Sequence, residues 1–141
     1  MEHLLRHTLW LTLVLLSTAA SSPARVRVYA KVDAETTIYP GDEFVYSIVV
    51  EGGGKPSKVD LSPMAQLNPR RAGSGTSMQT VNDRTTVSYS ENYAITAGQA
   101  GMMVLPAVSV VVDGETYTTN PVEVTISQPG TTDRLNLELS L

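Results

Sequence analysis

The chain contains no cysteine, and its two histidines and its only tryptophan are confined to the first ten residues, as His3, His7 and Trp10. If that segment is removed, the remaining protein has no thiol, imidazole or indole. It then lacks the nucleophile of cysteine enzymes, the usual general base and the commonest nitrogen ligand of transition metals. The serines likewise have no histidine with which to form a hydrolase triad. Composition therefore directs the search towards binding and predicts no catalytic residue, no metal ligand and no cofactor.

The first 24 residues predict a signal peptide. A short, weakly basic start precedes an apolar run from Thr8 to Leu16, and small residues follow it. The run is too short for an ordinary transmembrane helix. Cleavage after Ala20 and cleavage after Ala24 both fit, and an uncleaved N-terminal anchor is the alternative. We expect an exported protein, located in the periplasm or on the extracytoplasmic face of the inner membrane.

Basic charge is scarce. Ten lysines and arginines stand against fourteen acidic residues, which gives a formal net charge of −4. Because no basic patch is present, nucleic acid is not an expected partner. Beyond the leader no apolar run is long enough to cross a membrane, so we expect any membrane anchor in sequence that continues past Leu141.

After the leader, apolar residues recur at every second position, and no stretch has a helical repeat. In the segment from Glu43 to Val50 this alternation places four large side chains on one face: Phe44, Tyr46, Ile48 and Val50. Seven to nine such short strands are separated by turn signals. Their uneven lengths and long connections favour an all-β, immunoglobulin-like antiparallel β-sandwich over residues 25–127, with an up-and-down barrel as the alternative.

Turn residues support the prediction of a β-sandwich. Asp113-Gly114 lies between two valine- and threonine-rich runs and predicts a hairpin with a two-residue type I′ turn. Asn82-Asp83 predicts a second hairpin. Pro40 and Gly41 predict a tight turn before the strand that begins at Glu43, because proline presets φ and glycine accepts positive φ.

One charged residue conflicts with the alternation. The predicted strand from Arg84 to Thr96 places Val87, Tyr89, Tyr93 and Ile95 on one face, and it carries Glu91 onto the same face. Either a β-bulge turns Glu91 outwards, which we favour, or the carboxylate is half-buried near a sheet edge.

Other residues with chemical potential have plain structural interpretations. Acidic residues gather at predicted turns, but without EF-hand spacing, which favours local hydrogen bonding over calcium binding. Tyr117 is expected to act as a corner tyrosine that bonds back to the backbone. Met102 and Met103 are expected to fill the core.

The segment PRRAGSGTSMQT, from Pro69 to Thr80, has the composition most typical of an interaction site. Arg70 and Arg71 could pair with acidic groups of a partner, and weak packing could leave an edge for strand addition. A solvated loop is the simpler interpretation.

Residues 128–141 form a linker followed by the alternating segment RLNLELSL, which echoes RVRVYAKV at the start of the sandwich. This similarity predicts the first strand of a second, similar domain, so the chain is expected to be a fragment of a longer protein. A final strand that returns to the same sheet is the alternative.

The pattern of glycine, proline and tyrosine between Gly101 and Ile126 resembles the oxygen-tolerance family, the BatD-type proteins of bacterial aerotolerance operons. That family's first domain ends with a glycine, a short apolar strand and a proline, followed by a valine-rich strand, a glycine turn, a Tyr-Thr pair, another proline and a last apolar strand. The matching positions are Gly101, Pro106, Gly114, Tyr117, Thr118 and Pro121. Gly41, before the strand at Glu43, matches the family's opening. These are positions of structural importance.

The resemblance implies tandem immunoglobulin-like domains, export, and usually a C-terminal transmembrane helix. It also implies action together with von Willebrand factor A-domain membrane proteins and a MoxR-type ATPase. It transfers no catalytic residue. We therefore expect a non-catalytic protein-interaction or scaffold module, with a surface adhesion or carbohydrate-binding β-sandwich as the alternative.

Overall fold

The structure, a computed structural model, describes residues 25–33 and 36–130. The predicted signal peptide and the alternating segment at 134–141 lie outside these residues. Nine strands are present in the described part of the chain: β1 (Arg27–Val32), β2 (Glu43–Glu51), β3 (Lys58–Asp60), β4 (Arg70–Val81), β5 (Arg84–Thr96), β6 (Gly101–Leu105), β7 (Ser109–Val112), β8 (Glu115–Thr118) and β9 (Val122–Ile126). A 3₁₀ helix spans Ser62–Leu67. In these same residues no helix has the length and apolarity needed to cross a membrane.

The strands form two layers. One is a four-stranded antiparallel sheet in the order β1-β2-β5-β4, and the other consists of two smaller sheets, β3-β7-β8 and β6-β9. Every pairing between these strands is antiparallel. The predicted immunoglobulin-like β-sandwich of seven to nine strands is confirmed. Because the sheets remain open, the barrel alternative is wrong.

Apolar contact between the layers makes the core. The four-stranded sheet contributes the inward side chains of β2 and β5, and the opposite layer contributes those of β6, β7 and the connection between them. The described residues at 0–1% exposure are Tyr46, Ile48, Val50, Met64 of the 3₁₀ helix, Ile95, Leu105, Val108, Val110 and Val112. Burying apolar surface of this kind contributes roughly 25 cal/mol per Å². The alternation of β2 predicted from the sequence thus supplies four of the sixteen buried residues of this core: Phe44, Tyr46, Ile48 and Val50.

The two predicted hairpins have the expected geometry. Asp113 and Gly114 have φ of 50° and 81°, and Asn82 and Asp83 have φ of 49° and 59°. Positive φ at both central residues is the signature of type I′ turns, whose twist matches that of the flanking strands. The first turn joins β7 to β8, and the second joins β4 to β5.

The other positions in the glycine and proline pattern also have backbone reasons. Gly41 has φ of 90° and Gly101 has φ of 126°, a region that side chains with a Cβ rarely adopt. Pro106 follows the last residue of β6, and Pro121 precedes the first residue of β9, so neither removes a hydrogen bond from a ladder. The expectation for the methionine pair holds for Met103, which packs against the core, but Met102 is 67% exposed.

The opposite layer leaves part of the four-stranded sheet uncovered. The opposite layer covers the inner face of β1, β2 and the second half of β5, whereas every residue of β4 is exposed. The β4–β5 hairpin also extends beyond the end of β2. β2 ends at Glu51, opposite Ser88, whereas the pairing of β4 with β5 continues to Arg84. This overhanging hairpin and the edge of β4 define the molecule's most exposed region.

Candidate interaction surface

Arg70 and Arg71 lie in a regular edge strand, which corrects the interpretation of this segment as a solvated loop. Both belong to β4, and both pair within the chain. The Arg70 guanidinium forms an ion pair with Glu43 on β2, and Arg71 Nη2 lies 3.5 Å from Glu91 Oε1 on β5. The alternative of a sheet edge agrees with the strand that is found.

A β-bulge is present, but it lies in β4 and not in β5. The register between β2 and β5 runs without interruption, whereas that between β4 and β5 shifts between Arg71 and Gly73. The prediction that a bulge turns Glu91 outwards is therefore wrong. Glu91 stays on the inner face with 7% exposure. The bulge changes the register of the partner strand instead, and Arg71 lies opposite Tyr93 on that same face.

The buried carboxylate has two partners. The Tyr93 hydroxyl donates to Glu91 Oε2 at 2.8 Å, and Arg71 approaches the other oxygen. A buried charge is costly unless it is paired and hydrogen-bonded, and this arrangement meets both needs. Burial raises the pKa of Tyr93 above its usual value, and the bond to Glu91 raises it further. The three side chains fasten the edge strand to the core.

The outer face of the four-stranded sheet forms an open groove of about 730 Å³. Ser47, Ser90 and Asn92 line its floor, and Ser47 Oγ donates to Asn92 Oδ1 at 2.8 Å. Tyr29 and Lys31 of β1 line one side, while Ser77 and Gln79 of β4 line the other. The Tyr29 hydroxyl donates to Glu51 Oε1 at 2.9 Å. The groove therefore presents hydroxyl and amide groups together with charges of both signs.

The acidic turn residues make the local hydrogen bonds predicted for them. Asp42 Oδ2 accepts the Tyr39 N–H at 2.9 Å, and Asp60 Oδ1 accepts the Ser62 N–H at 3.0 Å. The Ser62 hydroxyl also donates to Asp60 Oδ1, and the bonds from this hydroxyl and from the N–H lower the pKa of Asp60. Residues 25–33 and 36–130 contain no group of three or more His, Cys, Asp or Glu side chains placed to hold a metal ion.

Tyr117 does not act as a corner tyrosine. Its hydroxyl donates to Glu115 Oε2 at 3.0 Å, two residues earlier on the same strand, and makes no bond to the backbone. Because that hydrogen bond favours the neutral phenol, it raises the pKa of Tyr117. The expected structural role is retained in part, since the ring packs against the core.

The residues singled out in the sequence do not converge on one place. Gly41, Gly101, Gly114 and the two prolines lie in separate turns, and only Arg70 and Arg71 lie in the exposed region. Sequence reasoning missed the groove. Its signal was available in β5, where Ser88, Ser90 and Asn92 alternate with the inward residues, but the outer face of any solvated sheet has similar residues.

A family model described as "BatD DUF11 like domain" matches residues 30–126. The chain belongs to the BatD family. The match spans the sandwich from β1 to β9, and it confirms the resemblance inferred from the glycine and proline pattern. No curated protein and no solved structure matches the chain. BatD proteins form an aerotolerance family whose members are in general exported and membrane-associated.

The fastening of β4 in this BatD domain predicts unequal roles for its two arginines. Replacing Arg71 with alanine (Arg71→Ala) leaves a carboxylate with 9% side-chain exposure without its cation, and it should lower the free energy of unfolding by about 1–2 kcal/mol. Arg70→Ala is the matched control. It removes a pair in which both side chains are more than half exposed, and it should change stability by less than about 0.5 kcal/mol. Urea denaturation measures both.

The double variant Arg71→Ala/Glu91→Gln tests the assigned cause. Since glutamine removes the unpaired charge, the double variant should recover part of the stability that Arg71→Ala loses. Equal losses for Arg71→Ala and Arg70→Ala would contradict the fastening role.

The raised pKa of Tyr93 predicts that the domain loses stability at alkaline pH. A phenol whose pKa is raised by folding contributes stability that is fully present below the unfolded value of 10.0 and lost as pH rises towards the folded value. The free energy of unfolding should therefore be level up to about pH 9 and fall as the pH rises above about 10, and it should fall less in Tyr93→Phe. A residual slope is expected in that variant, because burial also raises the pKa of Tyr46.

The control is Tyr39→Phe, at a position with 41% exposure. It should retain the alkaline slope of the unsubstituted chain in chemical denaturation at each pH. An identical slope in Tyr93→Phe would refute the assignment.

Proposed function

We propose that this BatD domain is a non-catalytic interaction module of an exported aerotolerance protein, and that it binds another extracytoplasmic protein through the outer groove of the four-stranded sheet. The observation that supports this proposal is the groove itself, since all four strands contribute to it. A rigid sheet positions such side chains more precisely than a loop does.

The chemistry of the groove suits a protein partner. Its floor has small hydroxyl and amide side chains, which can both donate and accept hydrogen bonds. Lys31 of β1 adds an ammonium group, and Glu51 at the end of β2 adds a carboxylate. Partly polar surfaces with interspersed charges are typical of non-obligate protein interfaces. Val45, with 38% exposure, adds an apolar contact at the groove.

The family indicates the class of partner. By resemblance, the partner is a von Willebrand factor A-domain membrane protein that acts with a MoxR-type ATPase. The domain's role would be to hold that protein on the extracytoplasmic side. Export and absence of catalysis belong to the same proposal.

A carbohydrate-binding role remains the competing hypothesis, because Tyr29 lies in the groove. Sugar-binding modules commonly use an aromatic ring as a platform. Here the Tyr29 hydroxyl is already bonded to Glu51 and the ring is half-buried, which leaves less of it for stacking. This arrangement favours the protein partner.

The substitution Ser88→Lys tests the groove. Ser88 lines the groove and is half-buried, so a lysine there occupies the space that a partner would fill. Binding of a von Willebrand factor A-domain protein from the same cell, measured by biolayer interferometry, should weaken at least about tenfold. Thr116→Lys, which adds the same charge at an exposed position of β8 in the opposite layer, is the control and should leave affinity unchanged.

Equal affinities of the two variants would rule out the groove as the binding surface. Binding to a glycan array that is lost in Tyr29→Ala would favour the carbohydrate hypothesis. Turnover by the isolated chain that is abolished by changing a single Asp or Glu would contradict a non-catalytic role.

A further inference from the structure

β4 ends the four-stranded sheet, and among the described residues no strand pairs with its outer edge. The direction of its backbone groups follows from one bond. The Val87 C=O accepts the Gly52 N–H at 3.1 Å, so the polar groups of Val87 point towards β2. In an antiparallel sheet, successive residues point to opposite edges, and therefore Ser88 and Ser90 point towards β4.

The register then identifies the outward groups of β4. Ser77 and Gly75 lie opposite Ser88 and Ser90, and they exchange bonds with β5. The intervening residues direct their N–H and C=O groups away from the sheet: Ser74, Thr76, Met78 and Thr80. The same alternation, continued through β2, points Ala30 of β1 outwards, where the Asn120 side chain bonds to both its N–H and its C=O. The agreement at β1 supports the assignment at β4.

The other edges are short or covered. Asn120 occupies the edge of β1, and Ile38 bridges to Ile126 of β9. β3 has three residues and β8 has four, whereas β4 has twelve. Natural proteins protect long edges with lysine, proline, bulges or short strands. Between Gly73 and Val81, β4 has no charged residue and no proline, and its bulge lies at the beginning.

We infer that a second copy of the chain pairs with this edge, β4 against β4, in antiparallel orientation about a two-fold axis at Thr76. In this register Thr76 lies opposite Thr76 of the other copy, and Ser74 lies opposite Met78. Cross-strand threonine pairs are favourable, and like charges do not face each other, because residues 72–81 are uncharged. The arginine end of each β4 meets the turn that contains Asp83 in the other copy, which brings one acidic residue close to Arg70.

The pairing is isologous and closes after two copies. It joins the four strands of each copy into one sheet of eight. Because the axis is perpendicular to the sheet, both outer grooves face the same side. The pairing involves the edge of the sheet, so it does not depend on what binds in the groove.

Sedimentation equilibrium of the full chain, purified after expression with its own leader, tests the inference over about 1–200 µM. We expect a monomer–dimer equilibrium. Thr76→Pro removes an outward N–H that β5 does not use, and it should weaken dimerisation at least about tenfold. Thr76→Val keeps both the N–H and the branched side chain, and it should leave the dimer intact.

Met78→Lys tests the same edge without a proline, so the test does not depend on correct folding of Thr76→Pro. Met78 is 73% exposed, so at concentrations where the chain is monomeric the substitution should leave thermal unfolding unchanged, while at higher concentrations it charges the edge and weakens the dimer. Ser88→Lys, which alters the groove, should dimerise normally. This outcome separates the present inference from the proposed function.

The absence of cysteine allows a direct probe of the register. In Thr76→Cys, a short bifunctional maleimide should link the two copies efficiently, because the paired residues are about 5–6 Å apart across the axis. Thr116→Cys in β8 should not be linked above background. A chain that stays monomeric throughout the range, a dimer that Thr76→Pro and Met78→Lys leave unchanged, or equal linking at both positions would overturn the inference.

Discussion

The contact between two apolar layers, one of which leaves a strand of the other uncovered, determines the rest of this structure. Side chains of β2 and β5 pack against those of the opposite layer and leave almost no exposed apolar surface between them. No disulfide supplements this contact, because the sequence has no cysteine, and the described residues contain no cluster of three or more His, Cys, Asp or Glu side chains placed to hold a metal ion. Because the opposite layer does not reach β4, one strand of the larger sheet is held by hydrogen bonds to β5 and by a few side chains. The core and the exposed edge are two consequences of the same mismatch.

The mismatch also explains the placement of charge. Glu91 lies where the cover of the core ends, close enough to the edge for an arginine to reach it from solvent. The bulge after Arg71 supplies that arginine, and the Tyr93 hydroxyl satisfies the second oxygen. A fully covered sheet would have required an apolar residue at this position. The polar groove on the opposite face of the sheet needs no such compensation, since it is open to water.

Much of the fold could be predicted because the determining signals are local. The alternation in β2, the Asp113-Gly114 turn and the Pro40-Gly41 turn each follow from the chemistry of neighbouring residues. The strand at 70–81 could not be separated from a loop, because its glycines and small polar residues are all exposed and the pairing with β5 is what orders them. The prediction for Glu91 was wrong for a related reason. Its partners are Tyr93 and an arginine twenty residues earlier, and only the register brings them together. The Tyr117 hydroxyl donates to the nearby Glu115 carboxylate and not to the backbone.

Residue-resolved amide hydrogen exchange across β4, measured by NMR at concentrations where the chain is monomeric, tests this account most directly. If β4 is a regular edge strand outside the core, protection should alternate along it. The amides of Gly75 and Ser77, which bond to β5, should exchange slowly, and those of Ser74, Thr76 and Met78 should exchange almost as fast as in an unfolded peptide. Uniform protection would mean that something covers the edge, and uniform fast exchange would mean that no strand forms there.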